Sequence, residues 1–150
     1  MNELYLLTDF LIKLFQSIEL VNTITMVETK FIDNNKNNIY QLVNIDYLQS
    51  DIQDDAIVAR YLITVVQQRD IRPQATDSKL QLDTNLIDNL SETHFTIQRA
   101  LNVMERNHHE NNIDLFSNTV ATKLQDWNKN GLDGHQVTIE LSIPNLGNGC

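Results

Sequence analysis

The clearest pattern in this chain is the alternation of apolar and polar residues from His135 to Pro144. The apolar members of this segment share one parity: Val137, Ile139, Leu141 and Ile143. Successive side chains of a strand point to opposite faces of a sheet, so the segment is predicted to be a strand with one buried face and one solvated face.

Two segments carry the three- and four-residue spacing of an amphipathic helix. In the first, residues 2–20, the apolar stripe consists of Leu4, Leu7, Leu11, Leu14 and Ile18, widened by Phe10 and Phe15. In the second, residues 84–106, it consists of Leu86, Leu90, Ile97, Leu101 and Met104. Ser91 marks either a break or a second N-cap in that helix. We expect the first stripe to pack in the core, with a partner-facing surface as the alternative.

Four more segments are predicted to be strands, at residues 22–33, 39–47, 56–68 and 119–127. The first two are predicted to form a hairpin, because the Asn-rich segment 33–38 between them favours a turn. Segment 56–68 is apolar on both faces apart from Arg60 and Thr64, which predicts a central strand covered above and below. A second interpretation is that one face of this strand is covered only on oligomerisation.

These elements predict an α+β fold in which a mixed or antiparallel sheet packs against two α-helices, in the order α-β-β-β-α-β-β. The length of 150 residues fits one domain, 1–150, and the 41% of hydrophobic residues supplies a core. Polar residues at positions 49–55, 107–112 and 128–134 predict loops or turns between elements.

Composition excludes several classes of protein. The single cysteine, Cys150, allows no internal disulfide. Thr8, Asp9 and Lys13 interrupt the first apolar stretch, so we expect neither a membrane span nor a signal peptide there, and a chain made in the cytosol. A net charge of −9 with scattered basic residues argues against binding nucleic acid through its phosphates.

Two motifs invite a metal interpretation, and both matches are incomplete. Asp126, Asn128, Asn130 and Gly131 fit the opening of a calcium loop, but the twelfth position is Val137 where a bidentate Glu is needed. An Asn-Gly hairpin turn explains the same residues. His108, His109 and Glu110 are adjacent on a predicted loop, without the helical spacing of zinc proteases, and His94 and His135 are remote in sequence. We therefore predict no metal site, and a pH-dependent contact if two histidines approach each other.

The chain offers no arrangement typical of an active site. A nucleophilic Cys150 would need an activating base and a positioned oxyanion site, which a chain terminus seldom provides, and the four glycines form no phosphate loop. Glu28, Glu140 and Arg60 lie on predicted strands, where solvated or cross-strand paired side chains are the expected state. We predict no catalytic residue, no cofactor and no enzyme.

The long irregular segment 69–79, with Arg69, Arg72 and Pro73, is a candidate arm that contacts a neighbour. Trp127, beside a turn, is either a packing anchor or an interface residue. Pro144 and Cys150, in the last residues of the chain, complete the candidate subunit interface.

At this length, the order helix, three strands, helix, two strands resembles the tail terminator and tail completion proteins of tailed bacteriophages, which form head–tail connector rings. The stretch 134–144, followed by Asn145 and the closing Cys150, looks like the ends of neck or tail proteins from phages of Bacteroidetes hosts, including crAss-like phages. The resemblance covers the whole chain as an element order and the last twenty residues or so as a sequence.

The resemblance implies a structural virion protein that forms a homo-oligomeric ring of roughly six or twelve copies. Its partners would be other neck, tail or portal-associated virion proteins, and DNA would pass through the lumen without specific binding. It implies no membrane partner, and a location in the virion after assembly in the host cytoplasm. The alternative is a small acidic protein-binding adaptor or inhibitor without catalytic activity.

Overall fold

The computed structural model describes residues 2–34, 40–69, 85–106, 112–116, 119–127 and 131–145. In chain order, the elements are α1 (Glu3–Gln16), β1 (Thr23–Thr25), a 3-10 helix (Thr29–Asn34), β2 (Leu42–Ile52), β3 (Ala56–Gln68), α2 (Leu86–Arg106), β4 (Asp114–Phe116), β5 (Thr122–Trp127) and β6 (Leu132–Pro144). The α+β class and the order helix, strands, helix, strands are confirmed.

The six strands form one mixed sheet in the order β1-β2-β3-β6-β4, and β5 also pairs with β6. β3 lies between β2 and β6 and pairs antiparallel with both, so its predicted central position is confirmed. β4 and β5 both pair with β6, β4 opposite the 140–142 end and β5 opposite the 132–136 end.

Both helices cover the same face of the sheet. The apolar stripe of α1 is buried at Leu7, Leu11 and Leu14, together with Phe15. Val137, Ile139, Leu141 and Ile143 of β6 belong to the same core, so the face predicted from their alternation is confirmed. At the start of α1, the Asn2 side chain caps the helix by accepting the Tyr5 N–H at 2.8 Å.

The opposite face, called here the outer face, is covered by described residues at one end only. There, Ile32, Leu42, Val66 and Leu132 form a second buried cluster with Trp127 against it. Further along β3, on the same face, Val58, Arg60 and Leu62 are only half-buried. The prediction that β3 is covered on both sides therefore holds for one half of that strand.

The predicted hairpin of residues 22–33 with 39–47 is wrong. β1 ends at Thr25, and it pairs with β2 in parallel. After Thr25, hydrogen bonds from side chains of β2 take the place of the backbone bonds between strands. Asn44 bonds both the N–H and the C=O of Val27, and the Asp46 carboxylate accepts from the N–H and hydroxyl of Thr29. These bonds hold the chain beside β2 after it has left the sheet. Residues 35–39 of the predicted turn lie outside the described residues.

Other boundaries differ because short or polar segments join the sheet. β2 continues to Ile52 through the predicted loop, and the connection to β3 is a tight turn in which the Gln53 N–H donates to the Ala56 C=O. β4, with three residues, is an additional strand that was not predicted. α2 continues unbroken through Ser91. In the part of the chain described, neither helix is both long and apolar enough to cross a bilayer.

Candidate functional site

A buried polar cluster lies where β3 ends, β6 begins and α2 starts. Its centre is Asp133, which is fully buried and forms a two-bond ion pair with Arg69. The Arg69 Nε–Oδ2 distance is 3.1 Å, and the Nη2–Oδ1 distance is 2.8 Å. Fork-to-fork geometry of this kind gives the strongest protein ion pairs.

Two further donors complete the shell of the Asp133 carboxylate. The Asp126 N–H donates to Oδ1 at 3.0 Å, and the Asn89 Nδ2 lies 3.5 Å from Oδ2. Burial alone would raise the pKa of Asp133, but the Arg69 and backbone hydrogen bonds and the Arg69 charge outweigh it, so that the pKa is lowered. This carboxylate is held ionised with its acceptor positions filled, an arrangement that positions backbone rather than binds substrate.

Asn89 connects the same cluster to α2. It is 2% exposed, and its Nδ2 also donates to the Gln68 C=O at the end of β3 at 3.1 Å. One amide therefore joins the first turns of α2 to β3 and β6, which fixes where the helix starts over the sheet.

One turn further along α2, Thr93 and His94 of the helix lie against His135 of β6. The hydroxyl of Thr93 lies 3.0 Å from His135 Nδ1 and donates to the Asn89 C=O at 2.8 Å. The role of His135 Nδ1 in this contact, donor or acceptor, depends on the ring tautomer. The ring centroids of His94 and His135 are 5.3 Å apart, with an edge-on angle of 74°. Burial first, and the neighbouring His94 second, lower the pKa of His135.

A third buried polar contact joins α2 to the start of β2. The Thr96 hydroxyl donates to Gln41 Oε1 at 2.7 Å. Both residues are buried, and the Gln41 Nε2 has no hydrogen-bond partner among the described residues. The polar stripe of α2 thus runs from Asn89 through Thr93 to Thr96.

Two open grooves lie on opposite faces of the sheet. The outer groove, of about 440 Å³, is lined by Gln49, Ser50, Asp51, Val58, Arg60 and Glu140. Arg60 and Glu140 are opposite each other on β3 and β6 and form a cross-strand pair, one of the two states expected for these side chains, with the Nε 3.0 Å from Oε1. The helix-side groove, of about 410 Å³, has an apolar floor that includes Phe10, Val103 and Ile143, and a polar rim of Asp9, Lys13 and Ser17.

Among the described residues that line them, neither groove contains the arrangement of an activated nucleophile. The outer groove holds an ion pair, one serine and one aspartate, and no histidine or cysteine. In the helix-side groove, the charged groups Asp9 and Lys13 pair with each other at 2.8 Å on the rim.

The structure separates the predicted interface residues. Arg69 and Trp127 lie at the same end of the sheet, since the Arg69 N–H donates to Gly131 beside the β5–β6 turn and Trp127 pairs with Leu132. Pro144 is exposed at the other end of β6, roughly 40 Å away at the rise of a strand. Arg72, Pro73 and Cys150 lie outside the described residues, so the predicted arm and terminal contact stay predictions.

The two metal motifs differ in how much of each is described. Asp126 and Gly131 both have left-handed backbones, with φ of 50° and 62°, and flank the β5–β6 connection. Asn128 and Asn130 lie outside the described residues, as do His108, His109 and Glu110. Over the described part of the chain, no group of three or more His, Cys, Asp or Glu side chains converges as a metal site would require.

Sequence reasoning missed the polar stripe of α2, because it assigned the buried face of that helix to its leucines. Leu86, Leu90 and Leu101 are half-buried, whereas Asn89, Thr93 and Thr96 are buried with Ile97, Ala100 and Met104. The steps of four and three between the polar residues follow the same helical period, and this spacing was the signal available.

Comparison with the models of known protein families gives no match to this chain, and a search of the curated proteins gives none either.

Proposed function

We propose that this chain is a structural virion protein that forms a ring at the neck or tail of a tailed phage, of the tail terminator or head–tail connector type. The ring joins neighbouring virion rings around the DNA channel, in the virion and during assembly in the host cytoplasm. The proposal assigns the chain no catalytic role.

The observation that carries this proposal is the pair of open grooves on opposite faces of the sheet. A ring requires a head-to-tail contact, in which one surface of a subunit meets a different surface of the next. The helix-side groove is apolar at its floor, and the outer face presents half-buried Val58 and Leu62. Two distinct surfaces of this kind suit a closed ring better than a twofold dimer, which uses one surface twice.

The charge of the chain supports the same proposal. With a net charge of −9, a ring of these subunits repels a DNA backbone electrostatically. Such a lumen would let DNA pass without binding it. The element order, which resembles that of tail terminators, is the reason for choosing a phage neck or tail over other ring assemblies.

A pair of interface variants tests the ring geometry. Thr138→Arg places a bulky cation on the outer face next to Leu62, and Ser17→Arg places one on the rim of the helix-side groove. Both positions are exposed, so the fold should tolerate each change. We expect each variant alone to lose the ring, as judged by mass in solution and by electron microscopy.

Mixing the two variants tests whether the subunits meet head to tail. In a head-to-tail ring, each variant retains one intact surface, so the mixture should form one-to-one pairs that grow no further. Gln125→Arg, at an exposed position of β5, is the control and should keep the ring. Variants that both assemble like the wild type would contradict the proposed surfaces. A wild-type monomer that binds one partner protein would favour the adaptor or inhibitor.

A further inference from the structure

We infer that the outer edge of β2 along residues 47–52, called here the β2 edge, is a docking edge that takes an extended, basic strand of a partner protein. The inference rests on the proposed assembly function in one respect: it names where the subunit contacts a different virion protein. Gln49, Ser50 and Asp51 of this edge also line the outer groove, so the β2 edge adjoins one surface of the proposed ring contact.

No described strand pairs with this edge. β1 lies beside β2 only from Leu42 to Asn44, and the side chain of Asp46 makes the last bonds to the chain that follows β1. On its other side, β2 stays paired with β3 as far as Ile52 opposite Ile57. The strand therefore continues for six residues as the border of the sheet.

The hairpin register determines which backbone groups point outward. The turn closes with the Gln53 N–H donating to the Ala56 C=O. Because residues of an antiparallel strand alternate between the two sides, Gln53, Asp51 and Gln49 turn their backbone groups towards β3. Ser50 and Ile52 turn theirs away from the sheet. The N–H and C=O groups of Ser50 and Ile52 therefore have the spacing needed for pairing with a further strand.

The side chains along the β2 edge are also exposed. Tyr47 is 40% exposed, Leu48 is 46% exposed and Ile52 is 74% exposed. The register shift between Tyr47 and Gln49 leaves Leu48 as an additional, bulged residue. Apolar side chains next to unpaired backbone groups are the two components of strand addition, in which the backbone gives affinity and alternate side chains give specificity.

The other sheet borders formed by described residues lack this combination. β1 and β4 have three residues each, and β5 carries Lys123 and the left-handed Asp126. Short strands, lysines and backbone irregularities are the usual protection of exposed edges. The β2 edge has no basic residue and is twice as long as β1 or β4.

Charge complementarity decides the occupant. Asp46, Asp51, Asp54 and Asp55 lie along or just beyond the β2 edge, and Glu140 lines the adjoining outer groove beside a single cation, Arg60. A second copy of this chain would bring the same carboxylates to an antiparallel self-pairing. A partner strand with Lys or Arg between apolar residues complements the edge in charge and in backbone spacing.

The test is a selection of peptides from a random nine-residue library against the full chain. Ser50→Pro removes an outward N–H without removing a bond to β3, as proline permits on an edge strand. Ser50→Ala is the matched control, because both variants lose the hydroxyl bonded to Tyr47 but only the proline loses the N–H. We expect enriched peptides with alternating apolar and basic residues.

Binding of these peptides should fall by about tenfold or more in the proline variant and stay close to wild type in the alanine variant. It should also weaken as salt is raised. Amide NMR shifts at residues 47–53 on titration with a selected peptide locate the contact.

Each contrary result overturns the inference. No enrichment, peptides without a basic bias, or equal binding to the proline variant would exclude a basic strand at this edge. Binding that appears only after removal of residues 146–150 would make those residues the occupant. If the wild type self-associates and the Ser50→Pro variant does not, the occupant of the β2 edge is a second copy of this chain. A ring that forms while no peptide binds defeats this inference alone, and a monomer that binds these peptides defeats the ring alone.

Discussion

Arg69 and Asp133 form a two-bond ion pair that ties the end of β3 to the start of β6, with the carboxylate fully buried. The same carboxylate accepts the Asp126 N–H and lies in reach of Asn89 on α2. One side chain therefore joins three strands, β3, β5 and β6, to the helix α2. This is the part of the structure where a conservative substitution should have the largest effect on stability.

Asp133→Asn should lower the free energy of unfolding by about 2–4 kcal/mol, because it removes one charge of a buried pair and leaves Arg69 without its counterion. Urea unfolding followed by circular dichroism measures the loss. The control is Asp9→Asn, which removes the exposed partner of Lys13 and should leave the unfolding midpoint unchanged. Equal effects of the two variants would contradict the role of the buried pair.

Acid should destabilise the wild type through the same carboxylate. Its folded-state pKa is lowered from the ordinary value of 3.8, so the folded chain releases this proton more readily than the unfolded chain. The resulting stabilisation is fully present above about pH 4 and is lost as the pH falls through the folded-state pKa. We expect the difference in unfolding free energy between wild type and Asp133→Asn to shrink below pH 4. A difference that stays constant to pH 2 would show that Asp133 is not the titrating group.

His135 should make stability depend on pH in a higher range. Its folded-state pKa lies below the ordinary value of 6.5, so the unfolded chain binds this proton more readily. Stability should be highest with the ring neutral, and should fall as the pH drops below about 6.5 towards the folded-state pKa. His135→Gln should reduce that dependence between pH 8 and 5. In an NMR titration, His94→Gln should raise the pKa of His135, and a wild-type His135 that titrates at or above 6.5 would contradict the burial argument.

Two glycines beside Asp133 should respond differently to alanine. A Cβ at Gly134 would lie 1.9 Å from the Val65 carbonyl oxygen, inside the β3–β6 ladder, so the two strands would have to separate. We expect Gly134→Ala to cost about 3 kcal/mol or more. Gly131→Ala meets the backbone strain of a φ of 62° and the end of the Asp126 side chain, whose Oδ1 would lie 3.2 Å from the new Cβ and can move aside. It should cost about 1–2 kcal/mol. Thermal unfolding measures the loss of stability in each variant, and equal losses in the two would contradict the close approach at Gly134.

The sequence was most informative where one element has a single physical requirement. β3 has the predicted bounds, residues 56–68, because a run of β-branched and aromatic residues between polar segments fits only a central strand. From Val137 to Ile143, β6 has the predicted buried face, because the apolar residues of that stretch keep the same parity. The stripe of α1 is buried for the equivalent reason at helical spacing.

Prediction failed where the partner of a segment decides its structure. Residues 22–33 have strand-like composition, but only three of them pair, since Asn44 and Asp46 bond the residues after them through side chains. The polar stripe of α2 is buried because Asp133, His135 and Gln41 lie opposite it. His94 and His135, remote in sequence, meet only because α2 crosses β6. These relationships depend on contacts between distant segments, which local patterns do not contain.

The mass of the purified chain in solution, by light scattering across a concentration series, tests the proposed ring most directly. The account predicts a discrete oligomer of roughly six or twelve subunits whose mass does not change over the series, as expected of a closed ring. A monomer or a dimer at every concentration would contradict a self-assembling ring and favour the adaptor.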